Sequence, residues 1–344
     1  MSKEIDLNEA TTEGKSNSVV PNFYNSKTEI GLDKRNESRI VYLRNFNNWV
    51  KSVLIKDHIE ELNKEKRNFK LSVVDLACGR GGDIKKWKNS YNVSYVLFTD
   101  IAQSSLDECH RRYDEVKPRF KADFLEMDLT TELISKKIDS LRKFDLTSCQ
   151  FMLHYSFETF KKANRFMENV SNSLTTGGYF IGTTTDSFEI IKRFRESGKS
   201  EFGNEFYNIK YLSNNGVLED QPPLFGAKIN FQLDGDVVDC PEYLVHFPTL
   251  ERIAEKYNLK LLWKKRFSEF FDEYSKNRNY YNLLKIIKAL EVCNKTSLES
   301  KNPSDYEHVK DRIESDDRES EYYTLSKSEW EVITLYICFA FKKQ

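Results

Sequence analysis

The chain predicts an α/β protein built on a doubly wound, mostly parallel sheet, and three observations carry that expectation. Short apolar runs alternate with segments whose apolar residues recur at helical spacing. The first run ends in a glycine-rich turn, Ala77-Cys78-Gly79-Arg80-Gly81-Gly82-Asp83, and the second ends on an acid, Asp100. Composition agrees: 39% hydrophobic residues, with 24 Phe and 18 Tyr, supply a large core, and 31% charged residues suit a solvated surface.

Taken in order, residues 1–35 are rich in Ser, Thr, Asn, Glu and Lys and read as a flexible N-terminal tail ahead of a single domain over 36–344. Over 39–62, Ile40, Leu43, Phe46, Trp49, Val50, Val53 and Leu54 fall on one helical face, predicting an amphipathic helix that covers a ligand. Strands follow at 71–76, 95–99, 120–127, 145–153 and 179–184, with helices between them at 83–88, 103–115, 131–141 and 157–174. Gly177-Gly178 is read as the stop of the last of these helices. From 197 to 246, Gly, Pro, Asn and Asp break the rhythm around apolar segments at 206–212 and 228–233, predicting an inserted β-rich flap. A helix at 247–257, a strand at 259–267, a helical insertion over 269–321 and a closing, antiparallel strand at 331–342 complete the chain. Within the insertion, 294–322 is polar enough to read as a mobile loop.

Charge and cysteine content exclude several classes. With 53 Lys and Arg against 54 Asp and Glu, no long-range field draws nucleic acid non-specifically, so any RNA contact is local. Basic clusters stand at Lys85-Lys86-Lys88, Arg111-Arg112, Lys192-Arg193-Arg195 and Lys264-Lys265-Arg266, and only the first two lie near the glycine turn. Cys78, Cys109, Cys149, Cys240, Cys293 and Cys338 form no C-x-x-C pair, which argues against a metal site or a disulfide framework and for a reducing intracellular compartment. Residues 1–18 lack an apolar signal segment, and the longest apolar run, 332–341, is too short for a bilayer, so neither secretion nor a membrane is expected.

Glycines straight after a buried strand let the backbone approach a ligand, and an acid closing the next strand suits ribose hydroxyls. A dinucleotide fingerprint would place a third glycine where Ile84 stands, while Asp75, ahead of Gly79, favours a cationic ligand. Both point to S-adenosylmethionine rather than a nicotinamide dinucleotide. In such sheets the ligand lies beyond the carboxyl ends of the strands, which nominates Asp128 for an adenine amine and Gln150 to Tyr155 for a planar base. Glu242, among aromatics in the flap, presents two acceptor oxygens that match the N1–H and exocyclic amine of guanine.

These residues together resemble the eukaryotic messenger-RNA cap guanine-N7 methyltransferase family from about residue 22 to the C-terminus. The resemblance rests on Tyr42 through Lys51, Asp75 through Asp83, Gln150 through Phe157, Gly177 through Thr184, Phe202-Gly203-Asn204-Glu205, Val238-Asp239-Cys240-Pro241-Glu242 and Leu325 through Trp330. It implies a Rossmann-like class I methyltransferase sheet with S-adenosyl-L-methionine as methyl donor. Donor contacts are then expected at Lys51, Ala77, Asp100, Asp128, Gln150 and Tyr155, beside Asp75 and Gly79 from the turn itself. Cap contacts are expected at Asn47, Asn48, Arg80, Lys86, Arg112, His154, Glu242 and Tyr336, with Phe151 beside the base. The resemblance also implies the capped 5′ end of mRNA (GpppN), a small activating subunit and the transcription and capping machinery as partners, and a nuclear location. Ala77 stands where the family usually has glycine, tolerable if its φ is negative. Thr185 stands where the family tends to carry proline, which removes one apolar contact to the cap.

Guanine N7 has a free lone pair at neutral pH, so the transfer needs alignment rather than a general base. Glu242 is expected to stabilise the charge developing on the purine, His154 to donate to the guanine carbonyl, and Phe151 and Tyr155 to hold base and donor in line. Two alternatives remain at this level: a methyltransferase using the same donor on another acceptor, and a cap-binding regulatory subunit with weakened transfer.

Overall fold

The computed structural model describes residues 38–66, 69–139, 141–212, 218–233, 240–299, 301–315 and 320–344. The expected tail at 1–35 and the Val238-Asp239 part of the flap motif lie outside them.

Helix α1 (Val41–Glu65) buries Leu43, Phe46, Trp49, Val50, Val53, Leu54 and Leu62 against the sheet, and the Trp49 indole donates to the carbonyl of Tyr280. Strand β1 (Leu71–Leu76) leads through the glycine turn into the short helix α2 (Ile84–Lys88). Strand β2 (Val93–Asp100), helix α3 (Gln103–Val116) and strand β3 (Lys121–Glu126) follow. Strand β4 (Phe144–Gln150), the single turn α4 (Leu153–Ser156), helix α5 (Phe160–Ser173) and strand β5 (Leu174–Thr185) continue the alternation. The main sheet runs β10 (Leu259–Arg266), β13 (Tyr336–Lys343), β5, β4, β1, β2, β3, and β5 through β3 in that order pair in parallel. The chain walks outward from β1 to β3 and returns on the far side of β1 at β4. That reversal opens a crevice at the carboxyl ends of the strands.

Helix α6 (Ser187–Ser197) precedes an antiparallel sheet of β6 (Glu201–Asn204), β7 (Tyr207–Tyr211), β8 (Lys228–Leu233) and β9 (Cys240–Tyr243), which is the expected flap. It is fastened to the body where Phe225 stacks on Phe157 at 5.4 Å and the Gly226 N–H donates to the Phe157 carbonyl at 2.9 Å. Helix α7 (Phe247–Lys256) and strand β10 (Leu259–Arg266) rejoin the main sheet. Then come α8 (Phe267–Tyr274), α9 (Arg278–Ile286), β11 (Glu291–Cys293), α10 (Lys295–Glu299), α11 (Glu307–Glu314), β12 (Tyr322–Thr324), α12 (Lys327–Ile333) and β13 (Tyr336–Lys343), the last antiparallel to both β5 and β10.

Five expectations need correction. The helix over 131–141 is a single 3₁₀ turn at Ile134–Lys136. Asn169 explains it: its Oδ1 accepts the Ile134 N–H and its Nδ2 donates to the carbonyls of Leu129 and Glu132, satisfying backbone groups that a helix would have paired internally. Gly177-Gly178 stops no helix; the glycines sit inside β5 where its register against β4 shifts, with Gly177 at φ +80°. The strand over 145–153 ends at Gln150, because Phe151 turns the chain at φ +58°. Residues 294–322 are not a loop in their described part, since α10 and α11 gather a small core of Cys293, Tyr306 and Ile313. The closing strand begins only at Tyr336, because Ser326 and Glu329 form a capping box that starts α12.

Candidate active site

A cavity of about 380 Å³ opens at the carboxyl ends of β1, β2 and β4. Lys51, Asp75, Ala77, Gly79, Asp100, Asp128, Gln150 and Tyr155, the eight residues nominated for the donor, all line it, and Phe151 joins them. Met127, Leu129, Ile101 and Met152 supply apolar wall, while Lys228, Pro241 and Tyr243 show that the flap closes one side.

The glycine turn is pinned from β2. Asp100 is nearly fully buried; its Oδ2 accepts the Gly79 N–H at 2.8 Å and its Oδ1 the Ala102 N–H at 2.9 Å, leaving further lone pairs on both oxygens for hydroxyl donors. Burial raises its pKa above the ordinary carboxylate value. Asp75 is tied on one oxygen to the Trp87 indole at 2.9 Å, and burial, reinforced by nearby Asp83, pushes it up to about 7. A cationic group beside it restores its charge. Asp128 folds back on its own turn, accepting from both the N–H and the hydroxyl of Thr130. Ala77 has φ +51°, so the condition for an unstrained methyl at this position is not met.

Asp83, to which sequence reasoning assigned no role, is the hub of the polar wall. Its Oδ1 lies 2.8 Å from Lys51 Nζ and 2.7 Å from Lys86 Nζ, and all three side chains are largely buried. Burial alone would raise its pKa, but the two ammonium groups outweigh it and hold the carboxyl well below the usual range. Lys51 reaches the cavity from α1, whereas Lys86 turns to Asn48 at 3.4 Å and to the Gly82 carbonyl. The Gly-Gly-Asp sequence opening α2 was the available signal.

The residues nominated for the base form a second, drier cluster behind Phe151. His154 and Glu242 are both buried, with Nε2 and Oε1 3.6 Å apart, longer than a hydrogen bond. Neither His154 nitrogen nor Glu242 Oε2 has a hydrogen-bond partner among the described residues. Burial pushes Glu242 up to about 8 and His154 down to about 3, so both are uncharged at neutral pH. Tyr336 is also buried, and burial together with Glu242 raises its phenol well above its ordinary value. Phe151 meets Tyr336 edge-on at 5.4 Å, and Tyr155 covers the His154 ring at 4.3 Å. Orphaned buried polar atoms are costly, about 1–3 kcal/mol each, and a planar ligand with complementary donors and an acceptor relieves that cost.

The remaining nominated residues do not line the cavity. Asn47 and Asn48 lie on α1, Arg80 lies in the turn, and Arg112 lies on α3, paired with Glu108. Thr185 is the register partner of Tyr336. The buried Asn47 Oδ1 and Thr185 hydroxyl have no hydrogen-bond partner among the described residues. No group of three or more His, Cys, Asp or Glu among the described residues could hold a metal ion, and no described helix is long and apolar enough to cross a membrane.

The family model described as "mRNA (guanine-N(7))-methyltransferase domain" matches residues 7–344. Curated proteins named "mRNA cap guanine-N(7) methyltransferase" are 39% identical over 348 residues in Drosophila melanogaster, covering 97% of this chain and 79% of the relative. The Caenorhabditis elegans protein of that name is 36% identical over 337 residues, covering 96% and 87%. An Arabidopsis thaliana protein named "mRNA cap guanine-N(7) methyltransferase 1" is 34% identical over 336 residues, covering 94% and 81%. With the eight donor-side residues gathered in one cavity and the family model spanning nearly its whole length, the chain belongs to the mRNA (guanine-N7)-methyltransferase family.

Proposed function

We propose that this protein methylates N7 of the guanine in the GpppN cap of mRNA, with Glu242, His154, Phe151 and Tyr155 arranging the acceptor. The observation that carries the reading is the juxtaposition of a nucleoside-sized cavity with a buried His154–Glu242 pair, in which both imidazole nitrogens and Glu242 Oε2 have no hydrogen-bond partner among the described residues. S-adenosylmethionine, when bound, supplies an electrophilic methyl group on a sulfonium.

The chain's own residues do the rest. Of the residues lining the cavity, Asp100 would offer its spare lone pairs to ribose hydroxyls, Asp128 would accept from the adenine amine, and Lys51 and Asp75 would hold the amino-acid part. Glu242, as carboxylate, accepts from guanine N1–H and the exocyclic amine; neutral His154 donates one ring N–H to the guanine carbonyl and thereby rejects adenine. As the purine gains positive charge during transfer, Glu242 strengthens its hold, and this preference for the transition state is what accelerates the step. No residue has to remove a proton. Holding N7 in line with the methyl group supplies up to roughly 7–11 kcal/mol.

Arg80 in the turn, Lys86 on α2 and Arg112 on α3 are assigned to the triphosphate bridge; such contacts weaken with salt. The relatives' names carry a role on the mRNA cap; a nuclear location, a small activating subunit and the capping machinery as partners are proposed on the resemblance alone. The experiment is direct: purified protein with S-adenosylmethionine and GpppA yields 7-methylguanosine, and GTP serves as the minimal acceptor. A folded preparation that methylates another acceptor and not GpppA establishes the alternative reading.

A further inference from the structure

We propose that Thr183, which lines no part of the cavity, is a positioning residue whose hydroxyl locks the donor side and the acceptor side of the site into one unit. This rests on the reading that Gln150 faces the donor and Phe151 the base.

Thr183 is the register partner of Gln150 across β4 and β5 and is fully buried. Its hydroxyl donates to Gln150 Oε1 at 3.1 Å and accepts the Phe151 N–H at 3.0 Å; the Thr183 carbonyl takes the same N–H at 3.1 Å. At its other end the Gln150 amide donates from Nε2 to Ser148 Oγ at 3.0 Å. Both ends of that amide are therefore gripped by strand hydroxyls, which holds its plane and leaves one N–H to meet a ligand.

Phe151 needs such a grip. Its φ of +58° is a left-handed conformation that a bulky residue keeps only when its surroundings over-determine it, and residues held this way cluster at active sites. The N–H shared between two acceptors of one threonine supplies that determination. It aims the ring edge-on at Tyr336, at 5.4 Å, and at Phe267, at 6.1 Å. One hydroxyl thus ties two consecutive residues that face different substrates, so a shift on either side is felt on the other.

The test compares Thr183→Val, which keeps the branched shape and deletes the hydroxyl, with Thr183→Ser, which keeps the hydroxyl. Thr183→Val is expected to lose about tenfold to a hundredfold in kcat and to raise KM for S-adenosylmethionine, while Thr183→Ser stays close to wild type. Wild-type turnover in Thr183→Val, or equal damage in both variants, overturns the proposal. Gln150→Ala and Phe151→Ala separate it from the reading beneath it. If both keep full activity, the site assignment fails; if both lose it while Thr183→Val does not, only the positioning role fails. Should Thr183→Val not fold, Thr183→Ala against Thr183→Ser decides: kcat lost in the first and kept in the second supports the lock, and equal turnover in the two refutes it.

Discussion

If Glu242 is the guanine contact proposed above, it meets its ligand in the wrong protonation state, and a measurable consequence follows. Burial raises its carboxyl to about 8, so the free protein holds the proton at neutral pH, whereas guanine N1–H and the exocyclic amine need the carboxylate. Binding therefore releases a proton. Below the raised pKa, affinity for GpppG should rise about tenfold per pH unit and level off above about 8. Calorimetry from pH 6 to 9 checks this, and Glu242→Gln should flatten the profile while weakening binding. Ala77 offers a second residue-scale test. Its left-handed φ of +51° costs an L-residue about 1–2 kcal/mol, more than the extra chain entropy a glycine brings. Ala77→Gly should therefore stabilise the protein by about 0.5–1 kcal/mol in a denaturant titration, where a loss of stability would show the strain to be relieved elsewhere.

At the scale of elements, the turn between β1 and α2 is held by ion pairs rather than by glycines alone. Asp83 joins Lys51 of α1 to Lys86 of α2, and its depressed pKa means that this contribution is present above the ordinary Asp value and lost as pH falls through the lower folded value. Asp83→Asn leaves two buried ammonium groups uncompensated; a loss of about 3 kcal/mol in stability and weaker S-adenosylmethionine binding are expected. Gly182 is a second hinge of the architecture. A Cβ there would come within 2.6 Å of both the Cys149 carbonyl and the Phe339 ring, so Gly182→Ala should cost about 2–3 kcal/mol by prying β5 from β4 and β13. Elements such as β1, β2 and β8 were legible because β1 and β2 are mostly apolar runs and β8 alternates cleanly. The short turn at 134–136 and the late start of β13 were not. There a side chain far away in sequence, Asn169, or a capping box, Ser326 with Glu329, decides where the backbone groups pair, and no local periodicity reports it.

Across the whole molecule, the site is the meeting of two sheets. The main sheet brings the donor-side residues together at its carboxyl edge, and the antiparallel flap lays Lys228, Pro241 and Tyr243 along the same cavity with Glu242 between the last two. The flap thus forms one wall of that cavity. Motif positions at strand ends were readable from sequence, since topology forces strand ends to one side of the sheet. The roles of Asp83 and Thr183 were not, because both act through other side chains rather than on a ligand. The most direct measurement pairs turnover with donor binding in one variant, Glu242→Ala. Wild-type protein should convert GpppA to its 7-methylguanosine form, and the variant should bind S-adenosylhomocysteine within a few-fold of wild type yet form no detectable product. A variant that still methylates GpppA at the wild-type rate, or a folded wild-type protein that forms no 7-methylguanosine, would contradict the account.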